Sequence, residues 1–186
     1  MSLGRSAVVL LVLWVCVGCN TRGYVDPTTA TLSEGSGYVL IGMNPEYMDV
    51  AIYTGDISDG TFRYSYPATF SGSPEDGFIL IKAPAGSSLA VTKAVVRAAV
   101  RGMGAYDPCS YTVFQAEGGK VTYATTLVFE LGNDGMLIGN HFQEFDKARA
   151  FMKAHYPSLA GSLVQGTYKT VKSVRPANDL PKDRCG

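Results

Sequence analysis

Chemistry in this 186-residue chain would have to come from four cysteines, two histidines and scattered carboxylates. Cys109 with His141 or His155 could in principle pair a thiolate with an imidazole, but the flanking residues that mark cysteine hydrolases are absent around Cys109. The two histidines stand fourteen positions apart on different expected elements, which is no ligand spacing, and zinc needs three or four ligands. Glu130, Glu144 and Asp146 form no paired-carboxylate signature, since such spacing arises on any solvated helix start. Asp146 is better placed as a helix-entry acid and His155 as a cation near the same helix's end, where the dipole favours it. His141, between a strand and that helix, is expected at a surface or edge. Gly118-Gly119 lies in a turn between strands, where a phosphate cradle would need a strand-to-helix turn. These residues point to no catalytic group, no metal and no cofactor.

One constellation could recognise a ligand. Phe62, Tyr64 and Tyr66 alternate with Arg63 and Ser65, so an extended backbone puts three rings on one face. Rings in a row suit stacking on a sugar or peptide, and they equally suit packing of one sheet on another.

The remaining chemistry is at the N-terminus. Arg5 supplies a positive charge, residues 7–17 are uninterruptedly apolar, and Gly18 precedes Cys19, the layout of a cleavable secretory leader. Eleven apolar residues make a helix of about 16 Å against the roughly 30 Å of a hydrocarbon core, so a permanent span is not expected. Cys16-Val17-Gly18-Cys19 resembles the lipobox of bacterial lipoproteins, with Cys16 in place of the usual leucine. The resemblance implies a diacylglyceryl group on Cys19, cleavage between Gly18 and Cys19, and a new terminus that is often acylated. Asn20 in place of aspartate implies outer-membrane sorting where the source has two membranes. An ordinary leader cut nearby would instead leave Cys19 as a thiol.

Composition narrows the partners. Lys plus Arg and Asp plus Glu are both 16, and losing Arg5 leaves 15 against 16, so no basic surface is available for nucleic acid or anionic lipid. With Cys16 removed and Cys19 lipidated, Cys109 and Cys185 remain, and an oxidising envelope favours a bridge between them. Such a bridge closes about 75 residues and is worth about 4 to 5 kcal/mol in the chain-entropy model. Two unrelated thiols are the alternative.

The elements follow from period and punctuation. Strands are expected over 37–43, 49–54, 61–66, 78–82, 89–100, 136–138 and 163–174, and a hairpin over 111–131 turning at Glu117-Gly118-Gly119. Residues 71–77 read as a loop. One helix is expected over 145–155, where Phe145, Ala148, Phe151 and Met152 recur at helical spacing and Pro157 stops the run. Residues 1–18 form the leader, 19–36 a flexible tether spanning roughly 20 to 25 Å, 37–174 the domain and 175–186 a tail. The segments 82–86, 113–123 and 154–159 (Lys-Ala-Pro-Ala-Gly, Val-Phe-Gln-Ala-Glu-Gly-Gly-Lys-Val-Thr-Tyr, Ala-His-Tyr-Pro-Ser-Leu) resemble uncharacterised bacterial lipoproteins with a prealbumin-like or carboxypeptidase-regulatory-like β-sandwich. That likeness implies a fold and no activity. The expectation is a mainly β chain, a single antiparallel β-sandwich with one short helix, facing the periplasm from a membrane. Its expected role is non-catalytic: holding an envelope protein partner, or binding a glycan or small ligand through exposed tyrosines. Hydrolysis through Cys109 and a histidine ranks last.

Overall fold

The protein is described here by a computed structural model covering residues 23–97, 105–106, 109–133 and 137–173. Its strands are β1 (Ser36–Asn44), β2 (Met48–Ser58), β3 (Thr61–Tyr64), β4 (Phe70–Gly72), β5 (Phe78–Pro84), β6 (Ser88–Val96), β7 (Ala105–Tyr106), β8 (Ser110–Gln115), β9 (Val121–Leu131) and β10 (Leu137–Phe142). Helix α1 (Phe145–His155), a 3-10 turn at Ala160–Ser162, β11 (Leu163–Gln165) and β12 (Tyr168–Ser173) follow. The chain is mainly β with one α-helix among the described residues, as expected. The arrangement of its strands is not the simple antiparallel sandwich.

One sheet runs β10-β9-β1-β5, with β11 also on β9, and the β1–β9 and β11–β9 pairs are parallel. Parallel pairing suits β1, which is buried on both faces from Gly37 to Met43. The other sheet closes on itself: β2, β3, β12, β8 and β6 form a ring because β6 pairs back to β2, while β4 and β7 attach outside it. Each antiparallel contact reverses strand direction, so a ring of five cannot be antiparallel throughout. One parallel contact is required, and β12 on β3 supplies it. Period-two patterning reports which side of a strand is apolar, not the direction of its neighbour, and so it could not foresee this.

The expected hairpin over 111–131 does not form. β8 pairs β6 and β12 in the ring, whereas β9 pairs β1, β10 and β11 in the other sheet. The turn between them crosses from sheet to sheet and is held by the start of β1: the Gly119 amide donates to the Ser33 and Ser36 carbonyls at 2.9 and 3.1 Å. A Cβ on Gly118 would lie 2.3 Å from the Glu34 carbonyl, so this close approach requires glycine.

Smaller differences lie at the ends of strands. The expected strand over 163–174 is two strands in different sheets, parted at Gly166, where a Cβ would meet Thr122 Cγ2 at 2.3 Å. β3 ends at Tyr64, and the chain turns through Ser65, Tyr66 and the cis Tyr66–Pro67 peptide into β4, which overlaps the start of the expected loop over 71–77. The expected strand over 89–100 is found as β6 to Val96; residues 98–100 lie outside the described set, as do 1–22 with Gly18 and Cys19, and 174–186 with Cys185.

Three apolar layers result. The main core lies between the sheets, from Val39, Ile41, Ile79 and Ile81 on one to Val50, Ile52, Leu89, Val91 and Phe114 on the other. The outer face of the β1–β5–β9 sheet is covered by α1 through Ala148, Phe151 and Met152, with Phe151 stacked on Phe78 at 4.8 Å. The third is the ring interior, filled by Phe62, Ala90, Tyr111, Val113 and Val171.

The tether expected over 19–36 is structured from Gly23 onward. Val25, Ala30 and Leu32 pack against the α1 layer, Tyr156 Oη donates to the Val25 carbonyl at 3.1 Å, and Tyr38 Oη to the Thr31 carbonyl at 3.0 Å. These contacts turn a polar linker into a strap across the domain.

Candidate functional site

The first described residues of the strap lie on β4 and the residues flanking it. Tyr24 sets its ring edge-on to Phe70 at 5.1 Å, and its hydroxyl donates to the Ser73 carbonyl at 2.5 Å while accepting from the Ser73 amide at 3.0 Å. Ser73 Oγ donates to Asp49 Oδ1 at 2.7 Å and also meets Arg97, whose Nε donates to the same carboxylate oxygen at 3.0 Å. These donors, Ser73 first, hold the Asp49 carboxyl below its ordinary range against the opposing effect of burial.

The three rings read from the sequence as one face have three fates. Phe62 is fully buried inside the ring of strands, edge-to-face with Tyr111 at 6.1 Å. Tyr64 is half-buried at the ring's mouth, and Tyr66 is 72% exposed. Tyr53 of β2, not singled out by sequence, completes the cluster: its centroid is 4.6 Å from Tyr64 and 5.4 Å from Tyr66. Burial first, then a hydrogen bond with Tyr66, raises the Tyr64 pKa far above its ordinary value, and burial also raises that of Tyr53. Neither phenol ionises near neutral pH.

The residues weighed for acid-base chemistry are dispersed. Cys109 is disulfide-bonded and so has no thiolate to offer. The Ser173 amide and hydroxyl both donate to its carbonyl, at 3.0 and 3.1 Å, which fixes the end of β12 beside it. His155 is in the last turn of α1, as expected, and stacks on Phe151 at 4.5 Å. It also faces Glu75 Oε1 at 3.6 Å and Asp76 Oδ2 at 3.0 Å, tying α1 to the β4–β5 connection. Asp146 is in the first turn of α1, where it meets Arg149 at 3.3 Å, and Glu144 pairs with Lys147 at 2.5 Å. No group of three or more His, Cys, Asp or Glu among the described residues is placed to hold a metal ion. An open cleft of about 340 Å³ at the start of α1 is lined by Glu46, Asp76, Glu144 and Lys147, with Lys147 held in its ion pair with Glu144.

His141 sits on the edge strand β10, where a sheet edge was expected. Its ring stacks on Tyr168 at 4.2 Å and 15°, and Nε2 lies 3.2 Å from Thr112 Oγ1, so it joins the two sheets. Its Nδ1 is buried without a partner among the described residues, and burial lowers its pKa below the ordinary value. The folded chain therefore prefers neutral His141. As pH falls below about 6.5, the unfolded chain binds the proton first, so stability is complete above that value and is lost towards and through the lower folded pKa. His141→Phe keeps the ring and removes the titration. The difference in urea midpoint between the two proteins is expected to move in favour of the variant from pH 7 to pH 5. A difference that stays constant with pH would show that His141 does not titrate in this way.

Searches of protein-family models, of curated proteins and of solved structures returned no match, so the likeness to prealbumin-like lipoproteins rests on the sequence segments alone.

Proposed function

We propose that this chain is a bacterial envelope lipoprotein, held through lipidated Cys19, whose β domain is a non-catalytic interaction module for a protein partner. The observation that carries the interaction role is the edge strand β10. It pairs with β9 at the end of its sheet and presents Ile138, 55% exposed, and Phe142, 50% exposed, on the same side. An exposed apolar edge invites pairing with another chain, and a partner strand laid along it would gain main-chain hydrogen bonds and apolar contacts together. In this reading Cys185 is the partner of Cys109, since Cys16 leaves with the leader and Cys19 carries lipid.

The glycan reading has less support. The exposed Tyr66 meets Tyr53 and Tyr64 at interplanar angles of 77° and 63°, so the three rings do not tile into a stacking platform. The hydrolase reading loses its nucleophile to the disulfide.

A photo-crosslinking residue at Asn140 tests the interaction role in intact cells. It is expected to capture a discrete adduct that is absent when the same residue replaces Lys153 on α1. Adding Ile138→Lys and Phe142→Lys should abolish the adduct, because lysine on an edge blocks strand addition. Equal labelling at positions 140 and 153, or none at either, would defeat the proposal.

A further inference from the structure

We propose that the Tyr53–Tyr64–Tyr66 cluster is a lipid-interface site that seats the domain on the bilayer holding its anchor. The inference rests on the lipid-anchor reading and extends it from a point of attachment to an orientation. Gly23 is already packed on the fold: a Cβ there would lie 2.2 Å from the Thr69 carbonyl, and its φ of +90° is suited to glycine. Cys19 is only four residues earlier, so a fully extended chain puts its Cα within about 14 Å of that of Gly23. The 20 to 25 Å of slack expected from a tether is not available. A bilayer that takes up lipid on Cys19 must approach the domain closely.

The strap fixes which side it approaches. Tyr24 lies over Gly72 and Ser73, and Gly23 over Thr69 and Phe70, so the chain followed towards its N-terminus runs along β4 towards the Tyr66–Pro67 loop. Thr69 itself is tied to β2 beside Tyr53, its Oγ1 accepting from the Thr54 amide at 3.0 Å. Gly23 and the tyrosine cluster are therefore linked through Thr69. From Tyr64 to Pro74 the sequence carries no charged side chain, and the charges that reach this segment, Asp49 and Arg97 at Ser73, are already paired with each other at 3.0 Å. Tyrosine belongs at such a boundary, since its ring enters the apolar margin while its hydroxyl stays with water and headgroups. Exposed Tyr66 would enter it, with Tyr53 and Tyr64 bracing it from behind.

The test uses the full-length, lipidated protein in phosphatidylethanolamine–phosphatidylglycerol vesicles whose acyl chains are brominated near the headgroup. Trp14 is the only tryptophan of the chain and leaves with the leader in this reading, so Tyr66→Trp introduces a single reporter at an exposed site. Its emission is expected to fall about two-fold relative to unbrominated vesicles, as for an indole held at the interface. Ile138→Trp is the control, an exposed position on β10 at the edge of the five-stranded sheet, whereas Tyr53 and Tyr64 belong to β2 and β3 of the other sheet. Its emission should be unchanged. A Tyr66→Trp protein that floats with the vesicles while its indole is unquenched, or is quenched no more than that of Ile138→Trp, overturns the seating and leaves the anchor intact. A protein that does not float removes the anchor and the seating with it.

Discussion

Serine in place of Cys19 is expected to move the protein from the membrane pellet to the supernatant almost completely, and to remove the acyl mass that the proposed anchor would add to the native form. The size of the effect follows from how lipid chains bind. A single myristoyl-type chain gives an association of only about 10⁴ M⁻¹, and each further buried methylene adds about 0.8 kcal/mol, so two or three chains make attachment effectively permanent. The chain without its leader brings no compensating attraction, since 15 basic face 16 acidic side chains and a small tyrosine patch is no anchor by itself. The variant should keep its stability, because the contacts that hold the strap to the fold are made from Gly23 onward and do not use position 19. A variant that still sediments, together with a native form of unmodified mass, would end the lipoprotein reading. A variant that still sediments while the native form does carry acyl chains would instead point to the protein partner as a second hold on the membrane.

The sequence was most informative where a segment's partner is local. The helix over 145–155 was found with those bounds because Ala148, Phe151 and Met152 face one way at helical spacing and Pro157 ends the run. β1 was legible as a central strand because residues 38–41 are apolar on both faces. What failed were pairings and packings set by a distant partner. Val25, Ala30 and Leu32 stand singly among threonine, serine and glycine, so nothing local distinguishes a strap from a tether. The hydroxyl that holds Val25 belongs to Tyr156, 131 positions away. Strands β8 and β9, joined by a glycine turn, have the local signature of a hairpin. Their separation into two sheets is decided by β1 and β12, which flank them in space. The aromatic face failed in the same way. Period two is kept through Phe62 and Tyr64, but the strand ends there, and the ring closure that buries Phe62 depends on β12, more than one hundred residues later.

That closure makes Phe62→Ala the most damaging single substitution expected in the domain, and its comparison with Tyr66→Ala separates a core from a surface on one short segment. Phe62 is one of five buried residues inside the ring; its ring meets Tyr111 edge-on at 6.1 Å, and a Cβ on Gly55 would lie 2.8 Å from Phe62 Cζ. A wall closed by strand pairing on all sides cannot collapse into the vacated space, so the cost should be towards the upper part of the usual range of about 3 to 5 kcal/mol for removing a buried phenylalanine ring. Such a loss is a large share of the stability of a domain this size. Tyr66, 72% exposed, loses only parts of two ring contacts on truncation, so Tyr66→Ala should change stability by less than about 1 kcal/mol. Urea midpoints of the two variants decide the matter, and the lipid seating should respond in the opposite order, lost in the Tyr66 variant while its fold persists. Two midpoints of equal depression would mean that the ring interior yields where strand closure says it cannot. Phe62 would then belong with the tyrosines on one adaptable surface, as the spacing of the three rings alone first implies.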